Sequence, residues 1–299
     1  MINLRGCFTA LVTPFDGSGL GPSINQESFV DLLLWQKESR ITGVVPCGTT
    51  GESPTLSMDE FEWLYSQSVE AFGSQVLDGA GSNYTQKAIE LAQLAEACGA
   101  GGVLSVCPYY NKPNQEGIFR HYAEIAESIE IPIVMYNVPG RTGGKIEPLT
   151  ALKLAEQFSN IVGIKEASGV EKNWEVIKEN KNADFHLISG NDDNTFQMMQ
   201  NYSASGVISV ASNVAPKTMN NFVQLGLDTQ WTEMQKLNTT LTPLFRDLFI
   251  DTNPIMPKTA LNLLGRNVGG FRLPLCETTE RNTIQMKKTL TELSKTWME

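Results

Sequence analysis

Histidine is nearly absent from this chain, with two in 299 residues. His121 falls in a stretch of helical period and His186 at the start of an apolar run, so a histidine-built metal site is not expected. A Ser-His-Asp system would need a placed histidine and a nucleophile elbow, and both are missing. Cys7, Cys47, Cys98, Cys107 and Cys276 are dispersed and form no CxxC. An odd, scattered set fits reduced thiols in a cytoplasmic chain, most of them small core hydrophobes. Basic residues are in the minority, 23 against 33 acidic ones, for a net charge of −10. That balance argues against nucleic-acid or anionic-membrane partners, but not against a small anionic substrate that one or two placed cations could hold. No apolar run approaches the roughly 20 residues needed to span a bilayer. The opening "MINLRGCFTALVTPF" is too short in its apolar part for a signal peptide and lacks a cleavage site, so it reads as a first strand.

What is present is a repeated alternation. Eight short apolar, β-branched runs occur in order: "CFTALVTPF", "GVVPCG", "QVLDGAG", "GVLSVCPYY", "IPIVMYNVP", "IVGIKEAS", "FHLISGN" and "GVISVAS". Between them lie helical spacings, such as Ile89, Leu91, Leu94 and Ala95, or Leu149, Leu152, Leu154 and Phe158. Alternating strands and helices imply right-handed βαβ units and a parallel sheet, and eight of them close into a (β/α)₈ barrel. A doubly wound nucleotide-binding sheet is the competitor. Its fingerprint is missing, because "GAGSNY" has Tyr84 where a third glycine belongs and no Walker-type loop occurs. The barrel is assigned to residues 1–228. Residues 229–299 carry no strand signal and show helical stripes instead: Met234, Leu237, Leu241, Leu244 and Leu248, with Pro243 as an expected kink, then Met286, Leu290, Leu293 and Trp297. This part is expected to be an α-helical extension.

Barrel chemistry sits where the strands end. The second run ends in Thr49, Thr50 and Glu52, the fourth in Tyr109 and Tyr110, and the fifth in Tyr136 and Arg141. The sixth carries Lys165, and the seventh ends in "SGNDD". Taken singly, each has a structural reading: a satisfied core tyrosine, a tight glycine turn, a snorkelling lysine, a loop arginine. Together they put hydroxyls, one guanidinium and one amine on the same rim. Burial disfavours the ammonium form of a lysine, and a neutral amine attacks a carbonyl to form an imine, an electron sink for carbanion chemistry. Backbone N–H groups of the GTTG turn can hold a carboxylate. These groups describe a class I aldolase acting on an α-keto acid.

"GTTGES", "PYYN", "YNVPGRTG", "GIKEASG" and "GVISV", in this order and spacing, closely resemble the dihydrodipicolinate synthase family, and the likeness extends to "NPIMPKTAL" and "RLPL". The resemblance implies condensation of pyruvate with L-aspartate 4-semialdehyde in diaminopimelate and lysine biosynthesis. It implies a Schiff base on Lys165, with Tyr136 as proton donor and acceptor relayed through Thr49 and Tyr110. Pyruvate would be bound by Thr50 and the backbone at Ile208, with Gly190 also in the substrate site and Arg141 on the semialdehyde carboxylate. No cofactor is implied beyond the covalent imine, and no metal. A homotetramer built as a dimer of tight dimers is implied, with Tyr110 donated across an interface. The alternatives within the superfamily are a lyase for N-acetylneuraminate or a keto-deoxy sugar acid; outside it stands a barrel that only binds a keto acid. Lysine-inhibited members of the family hold the effector with an acidic residue, an asparagine, a tyrosine and a histidine. Asn83 and Tyr109 match two of these, whereas Lys87 and Met58 stand where the acid and the histidine belong. Weak or absent feedback by L-lysine is therefore expected.

Overall fold

In the computed structural model, which describes residues 2–297, eight strands alternate with helices. They are β1 (Gly6–Ala10), β2 (Gly43–Val45), β3 (Leu77–Gly79), β4 (Gly102–Val106), β5 (Ile133–Asn137), β6 (Ile161–Glu166), β7 (His186–Ser189) and β8 (Gly206–Ser209). The pairs are parallel, in the order β2-β1-β8-β7-β6-β5-β4-β3. A parallel bridge from Val44 to Val76 joins the two ends, so the sheet closes into a (β/α)₈ barrel. Both faces of such a strand are dry, which is why the runs read as continuous apolar stretches. Inside the barrel Phe8, Val45, Leu77, Leu104, Val134 and Ile208 form one cluster. A second, larger cluster lies between the strands and the helices.

The helices start where side chains can satisfy their first N–H groups. Asn25 accepts from the Ser28 amide ahead of Gln26–Glu38, and Asn114 accepts from Gly117 ahead of Gln115–Ser128. Ser57 and Glu60 form a reciprocal capping box on Met58–Phe72. Of the stripe expected at Leu149, Leu152, Leu154 and Phe158, Leu154 is buried in the outer cluster and Leu152 and Phe158 pack against it half-buried, so only its first member departs. Leu149 is exposed, and the helix Pro148–Gln157 buries Pro148, Ala151 and Leu154. After the barrel come helices Trp231–Asp247, Ile255–Leu263 and Glu280–Trp297. The first runs through Pro243 as one element and buries Met234, Leu241 and Leu244. Met286, Leu290 and Leu293 are buried in the last, while the Trp297 side chain lies outside the described residues. The extension is not wholly helical, since Arg272 makes a parallel bridge to Gly19.

Strand faces alternate, with one interruption that matters. In β5 the order is regular, with Ile133 and Met135 in the outer cluster and Val134 and Tyr136 in the inner one. In β6 the pairing jumps from Ile133–Ile161 to Val134–Gly163. Val162 is the extra residue of a β-bulge, and the bulge re-aims everything after it. Ile161 and Ile164 therefore both face the helices, and Lys165, paired with Tyr136, faces inward. Gly163 permits this crowding, because a Cβ there would stand 2.7 Å from the His186 carbonyl oxygen.

One outward residue is costly. Asp78 of β3 is fully buried, and neither carboxylate oxygen has a partner among the described residues. Burial pushes its carboxyl well above the ordinary range, so the folded chain holds a proton that the unfolded chain has released. Stability is then unpenalised below the ordinary aspartate range and falls as pH rises through it, by about 1.4 kcal/mol per unit until the folded pKa is reached. Asp78→Ala should melt higher than the parent, with a gap that widens from pH 5 to pH 8 in thermal denaturation. A gap independent of pH would contradict a protonated Asp78.

Candidate active site

The ends of β5 and β6 are built as a matched pair. Tyr136 and Lys165 point into the barrel, and the next residues, Asn137 and Glu166, point outward and bind each other. Asn137 Nδ2 donates to Glu166 Oε2 at 2.8 Å, Asn137 Oδ1 accepts from the Ile146 amide at 2.9 Å, and Glu166 Oε1 accepts from the Ser168 amide at 2.6 Å. This outer lock fixes the backbone from which the inner pair projects.

Lys165 is 5% exposed, and its Nζ lies 4.3 Å from the centroid of the Tyr136 ring. Burial lowers its pKa to about 7; the charge of Asp192 partly opposes this, and that of Arg141 adds to it. Tyr136 is raised by burial, while the Arg141 charge and a hydrogen bond with the Thr49 side chain pull the other way. Near neutral pH the site thus holds an amine with a large uncharged fraction beside a protonated phenol.

Asp192, within the "SGNDD" stretch, receives the amides of Val210 and Ala211 on Oδ2, at 3.1 and 2.9 Å. Its Oδ1 is buried without a partner among the described residues. It fastens the segment after β8 and supplies the negative charge felt by Lys165. No residue-level signal marked it out from Asp193.

The "CGTTGE" stretch after β2 is a tight turn between two left-handed residues, Cys47 (φ 54°) and Glu52 (φ 56°). The amides of Gly51 and Glu52 are used inside the turn, on the carbonyls of Gly48 and Thr49. Those of Thr49 and Thr50 have no partner among the described residues, which suits them to an anion. Thr13 Oγ1 donates to the Gly51 carbonyl at 2.8 Å. From the far end of the chain, Lys258 pairs with Glu52 at 2.9 Å, with both side chains fully buried. The Arg272 amide donates to the other Glu52 oxygen at 3.2 Å. Lys258 also donates to the Gly270 carbonyl and lies over the rings of Phe15 and Phe271. This anchor is invisible in the motif itself, where Glu52 reads as one more polar residue at a strand end.

Lys165, Tyr136, Thr49 and Arg141 act on one another electrostatically or by hydrogen bonding. Ile208 is fully buried inside the barrel on β8. The Gly190 amide donates to the Glu166 carbonyl at 2.9 Å, and a Cβ at Gly190 would stand 2.5 Å from that of Ala167. Tyr110 is set apart. It is 88% exposed with φ 72°, and its amide donates to the Thr142 carbonyl at 3.1 Å.

A buried amine beside a tyrosine, at the C-terminal rim of a (β/α)₈ barrel, is the arrangement of the class I aldolase-type lyases. More narrowly, the chain belongs to the dihydrodipicolinate synthetase family, whose model matches residues 3–293. It is 42% identical over 291 residues to the 4-hydroxy-tetrahydrodipicolinate synthase of Methanothrix thermoacetophila, covering 97% of each chain. It superposes with a TM-score of 0.94 on the solved 4-hydroxy-tetrahydrodipicolinate synthase of Methylacidiphilum fumariolicum SolV, at 41% identity, covering 98% of this chain and 97% of that one. A solved monomeric dihydrodipicolinate synthase variant matches with a TM-score of 0.92 and 41% identity, covering 97% of each chain.

The amine's titration can be measured without a substrate. Competitive acetylation by trace acetic anhydride, read at Lys165 by mass spectrometry, should rise about tenfold per pH unit below pH 7 and level off above it. A rate still climbing at pH 9 would mean an ordinary, hydrated lysine.

Proposed function

We propose that this chain acts as a 4-hydroxy-tetrahydrodipicolinate synthase, joining pyruvate to L-aspartate 4-semialdehyde. The observation that carries this reading is the dry Lys165 amine, with a pKa of about 7, stacked on Tyr136. The neutral amine adds to the keto carbon of pyruvate and water leaves, giving a protonated imine. Loss of a methyl proton gives an enamine, whose carbon attacks the aldehyde of the semialdehyde and so forms the new C–C bond. Tyr136, kept protonated by burial, donates and accepts protons through Thr49, with Tyr110 as the outer member of the relay. Thr50, Gly190 and the backbone at Ile208 bind pyruvate. Arg141 takes the semialdehyde's carboxylate, a task suited to a planar guanidinium; it also favours this reading over a sugar-acid lyase, whose polyol substrate needs room there.

The feedback expectation has a physical basis as well. Lys87 Nζ lies against Met58 Sδ at 2.8 Å and pairs with Glu90 at 3.5 Å. An ammonium arriving there meets a like charge instead of a carboxylate, and 1.4 kcal/mol already amounts to tenfold in affinity. Borohydride reduction with pyruvate present should add the reduced pyruvyl mass at Lys165, and Lys165→Ala should abolish turnover of the semialdehyde. An unmodified Lys165 would defeat the mechanism. The same assay, titrated with L-lysine at subsaturating pyruvate, should lose little activity, and strong inhibition at submillimolar lysine would contradict the reading of Lys87.

Assembly as a dimer of tight dimers, with Tyr110 crossing to the neighbouring site, is part of the proposal. A monomeric variant exists among the solved relatives, so the argument rests on this chain's own surface. Tyr110 and Tyr84 are 88% and 66% exposed, and their loops are tied by Asn111 Nδ2 donating to the Asn83 carbonyl at 2.7 Å. Two exposed aromatics on joined loops are the kind of anchor an interface uses. Tyr110→Phe and Lys165→Ala chains, each inactive alone, should regain activity when mixed and reassembled. No recovery in a mixture shown to contain hetero-oligomers would return Tyr110 to its own chain.

A further inference from the structure

The extension contributes to the rim a buried polar side chain that stands in the quoted "NPIMPKTAL" stretch but received no role from the sequence. Asn253 precedes the Ile255–Leu263 helix and is 6% exposed. Its Nδ2 donates to Thr50 Oγ1 at 2.9 Å, and its backbone carbonyl accepts from Arg141 Nη2 at 3.5 Å. Its Oδ1 is buried with no partner among the described residues. Asn253 thus touches both the turn after β2 and the guanidinium after β5, and one of its acceptors is left open.

The direction of the first bond has a chemical consequence. A threonine hydroxyl can accept hydrogen bonds and donate a single one. With Asn253 donating to its oxygen, Thr50 does not spend its proton on that amide, and the proton is free for a ligand. The unengaged amides of Thr49 and Thr50 make the rest of the turn a set of donors as well. Three donors in one turn suit a carboxylate. We infer that Asn253 is a positioning residue that holds the Thr50 hydroxyl as a donor to the keto-acid carboxylate and ties that subsite to Arg141. This inference rests on the keto-acid reading given above.

The test is a double-mutant cycle on Thr50→Val and Asn253→Ala, read by borohydride trapping at Lys165 over a range of pyruvate concentrations, with no second substrate present. Each single variant should raise the half-saturating pyruvate concentration by about tenfold yet reach full trapping at saturation. The double variant should be no worse than Thr50→Val alone, because the two groups act through one bond. Asn253→Asp keeps the shape but can only accept from Thr50, so it should bind pyruvate more weakly than the alanine variant. It carries the test if the alanine chain does not fold. Half-saturation within twofold of the parent, or effects that multiply in the double variant, would overturn the role. A parent chain that pyruvate never traps would remove the keto-acid reading and this inference with it. A trapped parent with an unmoved Asn253 variant would remove the inference alone.

Discussion

A barrel strand alternates its faces, and Lys165 occupies the inner one only because β6 carries an extra residue between Ile161 and Gly163. Everything particular about the amine follows from that placement. Facing inward, it is dry, its ammonium form is penalised, and it stands over the Tyr136 ring. Facing outward, it would lie in the apolar layer under the helices, with Ile164 in the mouth. The neighbouring Asn137–Glu166 bond uses the same alternation in reverse. Next to each of the inward side chains Tyr136 and Lys165, the following outward one ties down the backbone.

The turn after β2 is held by a different device. Fully buried ion pairs are seldom a net gain over apolar packing, but removing one partner leaves a bare charge and costs roughly 3–5 kcal/mol. The Glu52–Lys258 pair is better read as a constraint than as a source of stability. It joins a strained turn to a helix of the extension, and the Arg272 amide and two aromatic rings hold it in register. Asn253 adds a second tie a few residues away. The extension is therefore part of the site's wall.

Much of this was legible in the sequence, and the boundary has a physical reason. The strand runs, the rim residues and the lysine were readable because a parallel barrel puts chemistry at strand ends, and residue type alone marks it there. The bulge was not, since "IVGIKEAS" gives no sign of which residue is left unpaired; that depends on β5. Asn253 and Lys258 lie in "NPIMPKTAL", a stretch that marks the family resemblance without assigning either residue a task, and their partners lie more than 200 residues away. Tyr110 marks the opposite limit. Residue type alone sets it on the rim with the others, and only the family resemblance implied that it leaves its own chain; here it is exposed, at a left-handed backbone position. Asp78 passes as one residue of an apolar run, and only the packed structure reveals that nothing receives its carboxyl.

The ties from the extension also set an order of events in the cell. Thr50 and Glu52 leave the ribosome 203 and 206 residues ahead of the side chains that fasten them. At translation rates of about 5–20 residues per second, that interval is on the order of 10–40 s. The six strands that remain, β3 to β8, can be made and paired within it, while the strained turn at the mouth still lacks its anchor. A nascent chain can thus bury the Lys165 amine in its barrel well before the mouth beside it is fastened.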